Sequence, residues 1–323
     1  MSITNSNDTP HEALMRRLVR KYRDNAEKYV APQVLPFHPV ESEEFKWPYV
    51  DPEHLLQTVE TRRGDSGPYS RSTLEVDWED DSTVEHGHEQ EVSEKVRNRY
   101  SSWFDAKAVQ AEVCMGIVRR SLEKEVADLL MNETTFSGQV TTVDAGDGEK
   151  WDHAEGNPIG DVITAKETIY ENTGMEADSI VMSRTVYAEL QRSASIRKWY
   201  FGENAGVGAG AIPDEAIRRA LGVDNLFVGR GRERTSNKGV TLATGELWDS
   251  DYALVFKVSD GALTGDDEVG LGRIALWTED SPVPFVYEEY WEDAIRGWVV
   301  RWRQNVKAFL MNKAVGHLLK NVT

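Results

Sequence analysis

The segment spanning residues 151–183 constrains the fold more than any other part of this 323-residue chain. Asn157 is a favourable helix N-cap, Pro158 suits the first helical position, and Gly174 suits the C-terminal cap. The residues between the caps include apolar side chains at helical spacing, which predict one apolar face: Ile159, Val162, Ile163, Ile169 and Tyr170. The caps and the spacing together predict one amphipathic helix.

A short aliphatic strand, Ser179–Met182, is predicted next, and Ser183 is placed to cap a second helix ending near Arg192. The order of motifs in this segment resembles the axial domain of HK97-fold major capsid proteins of tailed bacteriophages. That order is Trp-Asp, Asn-Pro-Ile, Asp-Val-Ile, Thr-Gly, a short strand and a helix with Tyr-x-x-Leu. The resemblance implies a structural protein that forms pentamers and hexamers of an icosahedral shell, and not an enzyme.

The longest predicted helix runs from about Ser102 to Met131. At about 1.5 Å per residue it is on the order of 45 Å long, which suits a stiffening rod. The resemblance makes it the spine helix of the peripheral domain. The charged residues, Glu123 among them, are predicted to lie mostly off its apolar stripe, which comprises Ala106, Val109, Val113, Ile117, Leu122, Val126, Leu129 and Leu130.

Two long strands are predicted near the C-terminus, Val283–Trp291 and Gly297–Leu310, with a break near Asp293. In the second, Trp298, Val300, Trp302 and Gln304 alternate with Val299, Arg301, Arg303 and Asn305, so the two sets are expected on opposite faces. The final stretch, Ala314–Leu319, is expected to pack beneath this antiparallel pair.

The N-terminal region contains a candidate basic amphipathic helix, His11–Tyr29, after which Ala31–Pro36 is expected to start an extended arm. Such a helix would suit a membrane, a partner groove or the acidic flank of a neighbouring subunit, and the acidic composition favours the last. Residues 41–94 are polar and acidic and lack apolar runs long enough for a core of their own.

The resemblance implies an α+β, HK97-like capsid fold with five parts. They are an N-terminal arm at 1–46, an extended loop at 47–100, and the peripheral domain with its spine helix at 101–155. An axial domain at 156–279 and the long antiparallel return strands of the peripheral domain at 280–323 complete the division.

Composition limits the function classes. The net charge of −18 argues against a dedicated nucleic-acid binder, although an acidic wall can enclose DNA without holding it. The single cysteine, Cys114, has apolar neighbours and is expected to be a buried, inert thiol. The chain shows neither a long apolar run nor a secretory layout at its N-terminus, so we expect assembly in a cytoplasm. The resemblance implies that this is the host cytoplasm and that the protein resides in the virion capsid.

No pattern predicts catalytic, cofactor-binding or metal-binding residues. The glycines at 206, 208 and 210 lack the strand and helix of a dinucleotide fingerprint. His86 and His88 share one strand face but would need further metal ligands from elsewhere. Glu288 and Glu289 are adjacent on a strand and therefore point to opposite faces, which excludes an acid–base dyad.

The expected partners are copies of the same chain, a separate scaffolding protein, a portal, a decoration protein as an option, and packaged double-stranded DNA, with no membrane. No lysine–asparagine cross-link is predicted, although Lys46 and Asn305 are present. Candidate inter-subunit contacts are Arg16, Arg20, Arg62, Arg63, Tyr69, Trp199, Tyr200, Glu292 and Arg301.

Two alternative functions remain open. An encapsulin-type compartment shell would share the fold, and only its contents would distinguish it. More distantly, an acidic glycan-processing enzyme would use tryptophans as sugar platforms and would act as a monomer.

Overall fold

A computed structural model describes residues 28–49, 56, 58–63, 65, 67, 69–71, 73, 76–101, 105–143, 150–202, 212–259 and 270–323. Its helices are α1 Ala31–Val34, α2 Glu94–Tyr100, α3 Ala106–Leu130, α4 Pro158–Thr173, α5 Arg184–Arg192, α6 Ala194–Phe201 and α7 Asp214–Leu221. The strands are β1 Phe37–Val40, β2 Glu44–Tyr49, β3 Asp77–Ser82, β4 Val84–Ser93, β5 Val140–Thr142, β6 Ser179–Ser183, β7 Asn225–Gly229, β8 Arg232–Arg234, β9 Thr244–Glu246, β10 Tyr252–Phe256, β11 Gly272–Trp277, β12 Val286–Glu292, β13 Gly297–Leu310 and β14 Gly316–Lys320.

The first sheet is organised around the long strand β13. Strand β12 pairs antiparallel with its first half and β11 with its second half, while β4 pairs antiparallel on the other side. Strand β1 adds to β11 in parallel. The long antiparallel pair predicted near the C-terminus is confirmed, and Arg296, at φ 47°, lies in its turn.

Helix α3 confirms the predicted long helix, although it begins after Asp105, whose carboxylate accepts the N–H groups of Lys107 and Ala108. It packs on β13 and β4. The predicted stripe is wrong at two positions, because Val113 is 47% exposed and Glu123 is fully buried. The buried face instead follows a set shifted by one residue in the first half of the helix, which includes Cys114, Gly116, Val118, Leu122, Val126, Ala127 and Leu130.

The segment 151–183 has the predicted local structure. Asn157 accepts a hydrogen bond from the Gly160 N–H, and Gly174 ends α4 in the left-handed conformation. Every residue of β6 is buried, and Ser183 caps α5 by accepting from the Val186 N–H. The indole Nε1 of buried Trp151 donates to Asp161 Oδ2 at 2.8 Å, so the loop is fixed to the first turn of the helix.

The second sheet has the order β5-β14-β10-β6-β7. Its last strand in sequence, β14, lies between β5 and β10. The expectation that Ala314–Leu319 packs beneath the β12–β13 pair is therefore wrong. Strand β11, from the region assigned to the axial domain, lies in the first sheet. Strands from different parts of the sequence-based division thus pair within one sheet, because pairing partners lie far apart in the chain. The domain boundaries remain a prediction.

Strands β2 and β3 form a separate two-stranded antiparallel ladder at the base of the predicted extended loop. Strand β4, which the same division places in that loop, pairs with β13 along ten residues from Val84 to Ser93. A region without its own core therefore gains backbone hydrogen bonds from the main sheet.

Candidate subunit-contact surfaces

The hairpin of β12 and β13 carries different chemistry on its two faces. Glu288 bonds to Arg301 and Arg303 on one face, whereas Glu289 pairs with Lys107 of α3 on the other, at 2.8 Å. The alternation predicted from the sequence is confirmed, and the two adjacent carboxylates cannot act as a dyad.

Glu288 is the centre of a charge network. Its Oε1 lies 2.7 Å from Arg303 Nε and its Oε2 lies 3.0 Å from Arg301 Nε, while Arg303 also reaches Asp280 at 2.8 Å. The hydrogen bonds from Arg303, and then from Arg301, lower the pKa of Glu288. An ionised carboxylate that accepts hydrogen bonds from two arginines cannot serve as a general acid near neutral pH.

Arg301, one of the predicted contact residues, bonds to Glu288 within the chain. The guanidinium is 40% exposed at the side-chain level, so part of it still faces solvent. Glu292 is the last residue of β12 and is half-buried. The assignment of Arg301 and Glu292 to subunit contacts stays a prediction.

The opposite face of the hairpin is aromatic. Trp291 and Trp298 meet edge to face at 5.8 Å between ring centroids, and Tyr287 lies 5.2 Å from Trp302. The ammonium of Lys107 sits 4.6 Å from the Trp298 ring centroid. The aromatic pairs join β12 to β13, and the Lys107 contact joins α3 to the sheet.

Helix α6 ends in three exposed aromatic residues, Trp199, Tyr200 and Phe201, which are 50%, 44% and 38% exposed. Ile196, fully buried, anchors the helix. The rings of Tyr200 and Phe201 meet edge to face at 4.7 Å. Consecutive residues lie about 100° apart around a helix, so the aromatic surface wraps the end of α6. Adjacent exposed aromatic side chains of this kind are typical of a contact site.

The loop candidates Arg63 and Tyr69 lie together. The Arg63 guanidinium carbon is 4.5 Å from the Tyr69 ring centroid, and Arg63 Nε donates to the Gly67 carbonyl at 2.6 Å. Tyr69 is 70% exposed, and the backbone N–H of neighbouring Arg62 donates to Glu60. Arg16 and Arg20, like the glycines at 206–210, lie outside the described residues.

His86 and His88 have in-chain contacts. His86 Nε2 lies 3.6 Å from Glu125 Oε2, and the His88 carbonyl accepts from the buried Cys114 thiol. Burial raises the pKa of that thiol, in agreement with the expected unreactive cysteine. Across the described part of the chain, no three His, Cys, Asp or Glu residues form a potential metal site, and no helix there is long and apolar enough to cross a membrane.

Glu123 is the important residue that sequence reasoning missed. Its Oε1 accepts from the Val30 N–H at 3.0 Å and from Trp248 Nε1 at 2.6 Å, and its Oε2 accepts from the Ala31 N–H at 2.8 Å. Burial raises its pKa, while these hydrogen bonds oppose part of the rise. A sequence signal existed, because Glu123 lies next to Leu122 and seven residues before Leu130 on the buried face.

The bonds to Glu123 fix the start of the described chain. They satisfy the first N–H groups of α1, so residues 31–34 form a short buried helix where an extended arm was expected. Ala31, Val34 and Leu35 are fully buried in the core beside α3. Residues 30–35, which the sequence-based division places in the N-terminal arm, are therefore anchored in the core.

The described chain combines a long helix packed on a β13-centred sheet, a second mixed sheet contacted by α4, α5 and α7, and the separate β2–β3 ladder. No protein-family model and no curated protein sequence match the chain. Solved structures match nearly all of it. A phage-related protein from Bordetella bronchiseptica aligns with a TM-score of 0.69 at 19% identity, covering 96% of this chain and 97% of that one.

Two further matches show the range of proteins with this fold. A structure from Mycobacterium phage Adephagia aligns with a TM-score of 0.60 at 12% identity, covering 99% of this chain and 98% of that one. The SrpI encapsulin from Synechococcus elongatus aligns with a TM-score of 0.54 at 10% identity, covering 100% of this chain and 91% of that one. The chain therefore has the HK97-like capsid fold.

Proposed function

We propose that this protein is the major capsid protein of a tailed bacteriophage, a structural subunit that assembles into pentamers and hexamers of an icosahedral shell. The observation that carries the proposal is the alignment of almost the whole chain with a phage-related protein over almost its whole length. Its solved structural relatives also include the capsid of a cyanophage and that of a native GTA particle.

The surfaces of the described subunit support this proposal. Exposed aromatic residues occur at separate places, including the end of α6, the Arg63–Tyr69 loop and the β12 edge strand. Several distinct contact sites on one chain suit heterologous packing, in which each surface meets a different surface of a neighbour. The net charge of −18 would repel enclosed double-stranded DNA and keep it from adhering to the shell wall.

Assembly of the purified full-length chain tests the proposal. Electron microscopy and analytical ultracentrifugation at high concentration are expected to show pentamers, hexamers, tubes or closed shells. A persistent 36.5 kDa monomer under the same conditions would overturn the proposal. Single-chain mobility of the particle protein on a denaturing gel is expected, because we propose no covalent cross-link.

A compartment shell is the second candidate, favoured by the encapsulin match across the whole chain. The contents of particles isolated from cells distinguish the two functions. Packaged DNA supports the capsid, and a folded cargo enzyme supports the compartment. Scaffolding, portal and decoration proteins belong to the capsid proposal, as does assembly in the host cytoplasm.

A further inference from the structure

We propose that the aromatic end of α6 docks into a groove between α4 and α7 of the neighbouring copy of this chain, closing the ring of axial domains. This contact rests on the proposed shell function and specifies which two surfaces meet. The aromatic end comprises Trp199, Tyr200 and Phe201. The groove is lined by residues of α4 and α7 and of the turns that follow them.

The groove has an apolar floor and acidic walls. Ile163 and Tyr170, on the outer face of α4, are 46% and 56% exposed, and the buried Leu221 of α7 lies at the base of the groove. Exposed apolar side chains along a groove are typical of a site that receives another protein surface. Within one subunit the described residues leave Ile163 and Tyr170 open to solvent.

Charge complementarity selects the occupant. Glu167, Glu171 and Glu176 line the groove and are exposed. These three carboxylates outnumber the two cations of the lining, Lys166 and Arg219, and Arg219 is already paired with Glu215. The groove therefore presents net negative charge to a partner.

The end of α6 carries the matching charges. Arg197 and Lys198 immediately precede the three aromatic residues, and the Arg197 guanidinium carbon lies 5.7 Å from the Phe201 ring centroid. Aromatic side chains with adjacent cations are the composition expected of an energetically dominant contact. Opposite charges around an apolar centre would also fix the orientation of the two copies.

The positions of the two surfaces permit a ring. Helix α6 begins beside the N-terminus of α4, where Ser195 Oγ lies 3.3 Å from Asn157 Oδ1. The groove extends toward the opposite end of α4, and Tyr170 lies about 20 Å along the helix axis from Asn157 at about 1.5 Å per residue. Two different surfaces on one domain form a heterologous contact, which closes into a ring when the rotation permits.

Cysteine cross-linking in assembled particles tests this contact. The variant Lys198→Cys/Glu167→Cys, treated with a short bismaleimide, is expected to give a ladder of covalent multimers ending at five or six chains. Each single variant should give none, because native Cys114 is buried. The matched control pair is Lys198→Cys/Glu215→Cys, since Glu215 is also exposed on α7 but lies outside the groove lining.

The outcomes separate this inference from the shell function. If particles form but the control pair gives the ladder, or the groove pair reacts only within one chain, the proposed contact is wrong and the shell function stands. If the unmodified protein never assembles, the shell function itself fails. Cross-linking that ends at five or six chains only for the groove pair supports the contact.

Charge reversal provides an independent test. Glu167→Lys/Glu171→Lys and Arg197→Glu/Lys198→Glu are each expected to raise the protein concentration needed for assembly by tenfold or more, roughly 1.4 kcal/mol per tenfold. Combining the two pairs should restore much of the loss. Lys238→Glu, at the exposed tip between β8 and β9, is the control and should have no effect. No rescue in the combined variant would contradict the pairing.

Discussion

Glu123 and Glu288 are both carboxylates that accept several hydrogen bonds, but they lie in regions with opposite physics. Glu123 is fully buried between the N-terminal segment, α3 and Trp248. Glu288 lies on the exposed face of the β12–β13 hairpin, where two arginines and solvent surround it. The buried carboxylate fixes the start of α1 against α3, while the surface one orders two arginines on an exposed face.

The difference follows from solvation. A buried donor that loses its acceptor cannot turn to water, so the loss of Glu123 would leave three N–H groups unsatisfied. When a surface ion pair is broken, water replaces the lost polar contacts, so the net contribution of the pair to the free energy of unfolding is small. Four measurements break or sharpen this contrast.

The largest effect is expected from Glu123→Ala. It should lower the free energy of unfolding by about 3 kcal/mol or more, because each orphaned buried donor costs roughly 1–3 kcal/mol. Urea unfolding of the unassembled protein, followed by tryptophan fluorescence, measures this change. The control is Glu125→Ala on the same helix, whose partly exposed side chain lies 3.6 Å from His86 of β4 and whose loss should cost under about 1 kcal/mol. Equal losses in both variants would contradict the anchor.

Trp248→Phe comes next. It removes one of the three donors to Glu123 and leaves the buried Oε1 with the Val30 N–H alone, so we expect a loss of about 1–3 kcal/mol. The matched control is Trp291→Phe, whose Nε1 donates to Asp293 at 2.7 Å on the surface. Unfolding midpoints in urea compare the two. If Trp291→Phe lowered stability as much as Trp248→Phe does, burial would not explain the effect at Trp248.

Glu288→Gln is expected to cost only about 0.2–1 kcal/mol, since its ion pairs are partly exposed. The same urea titration measures this loss. The variant should fold normally and differ from the parent mainly at low salt. A loss above that of Trp248→Phe would show that the surface network is a structural anchor after all.

The finest distinction is the sign of the pH dependence. Burial raises the pKa of Glu123, so its contribution to stability falls as pH rises above the ordinary glutamate value toward the folded value. The arginines lower the pKa of Glu288, so its contribution is present above the ordinary value and is lost as pH falls through the folded value.

Unfolding from about pH 3 to about pH 7 tests these signs. The stability difference between the parent and Glu123→Gln is expected to shrink toward the higher end of this range. The difference between the parent and Glu288→Gln is expected to shrink toward the lower end. Parallel curves for the two variants would contradict the assigned environments.

The sequence by itself determined the elements whose causes are local. The caps at Asn157 and Gly174, the long helix α3 and the alternation along β13 were all predictable, since capping and periodicity act within a few residues. The resemblance to HK97-fold capsid proteins rested on the same local order, and the fold confirms it.

Only the tertiary structure decided what depends on distant residues. The donors to Glu123 lie 93, 92 and 125 residues away from it, and no local pattern specifies such partners. The same reason explains why β14 lies in the second sheet, where β10 and β5 flank it. Local sequence selects helices and strands, whereas burial and backbone pairing between distant segments select where each one packs.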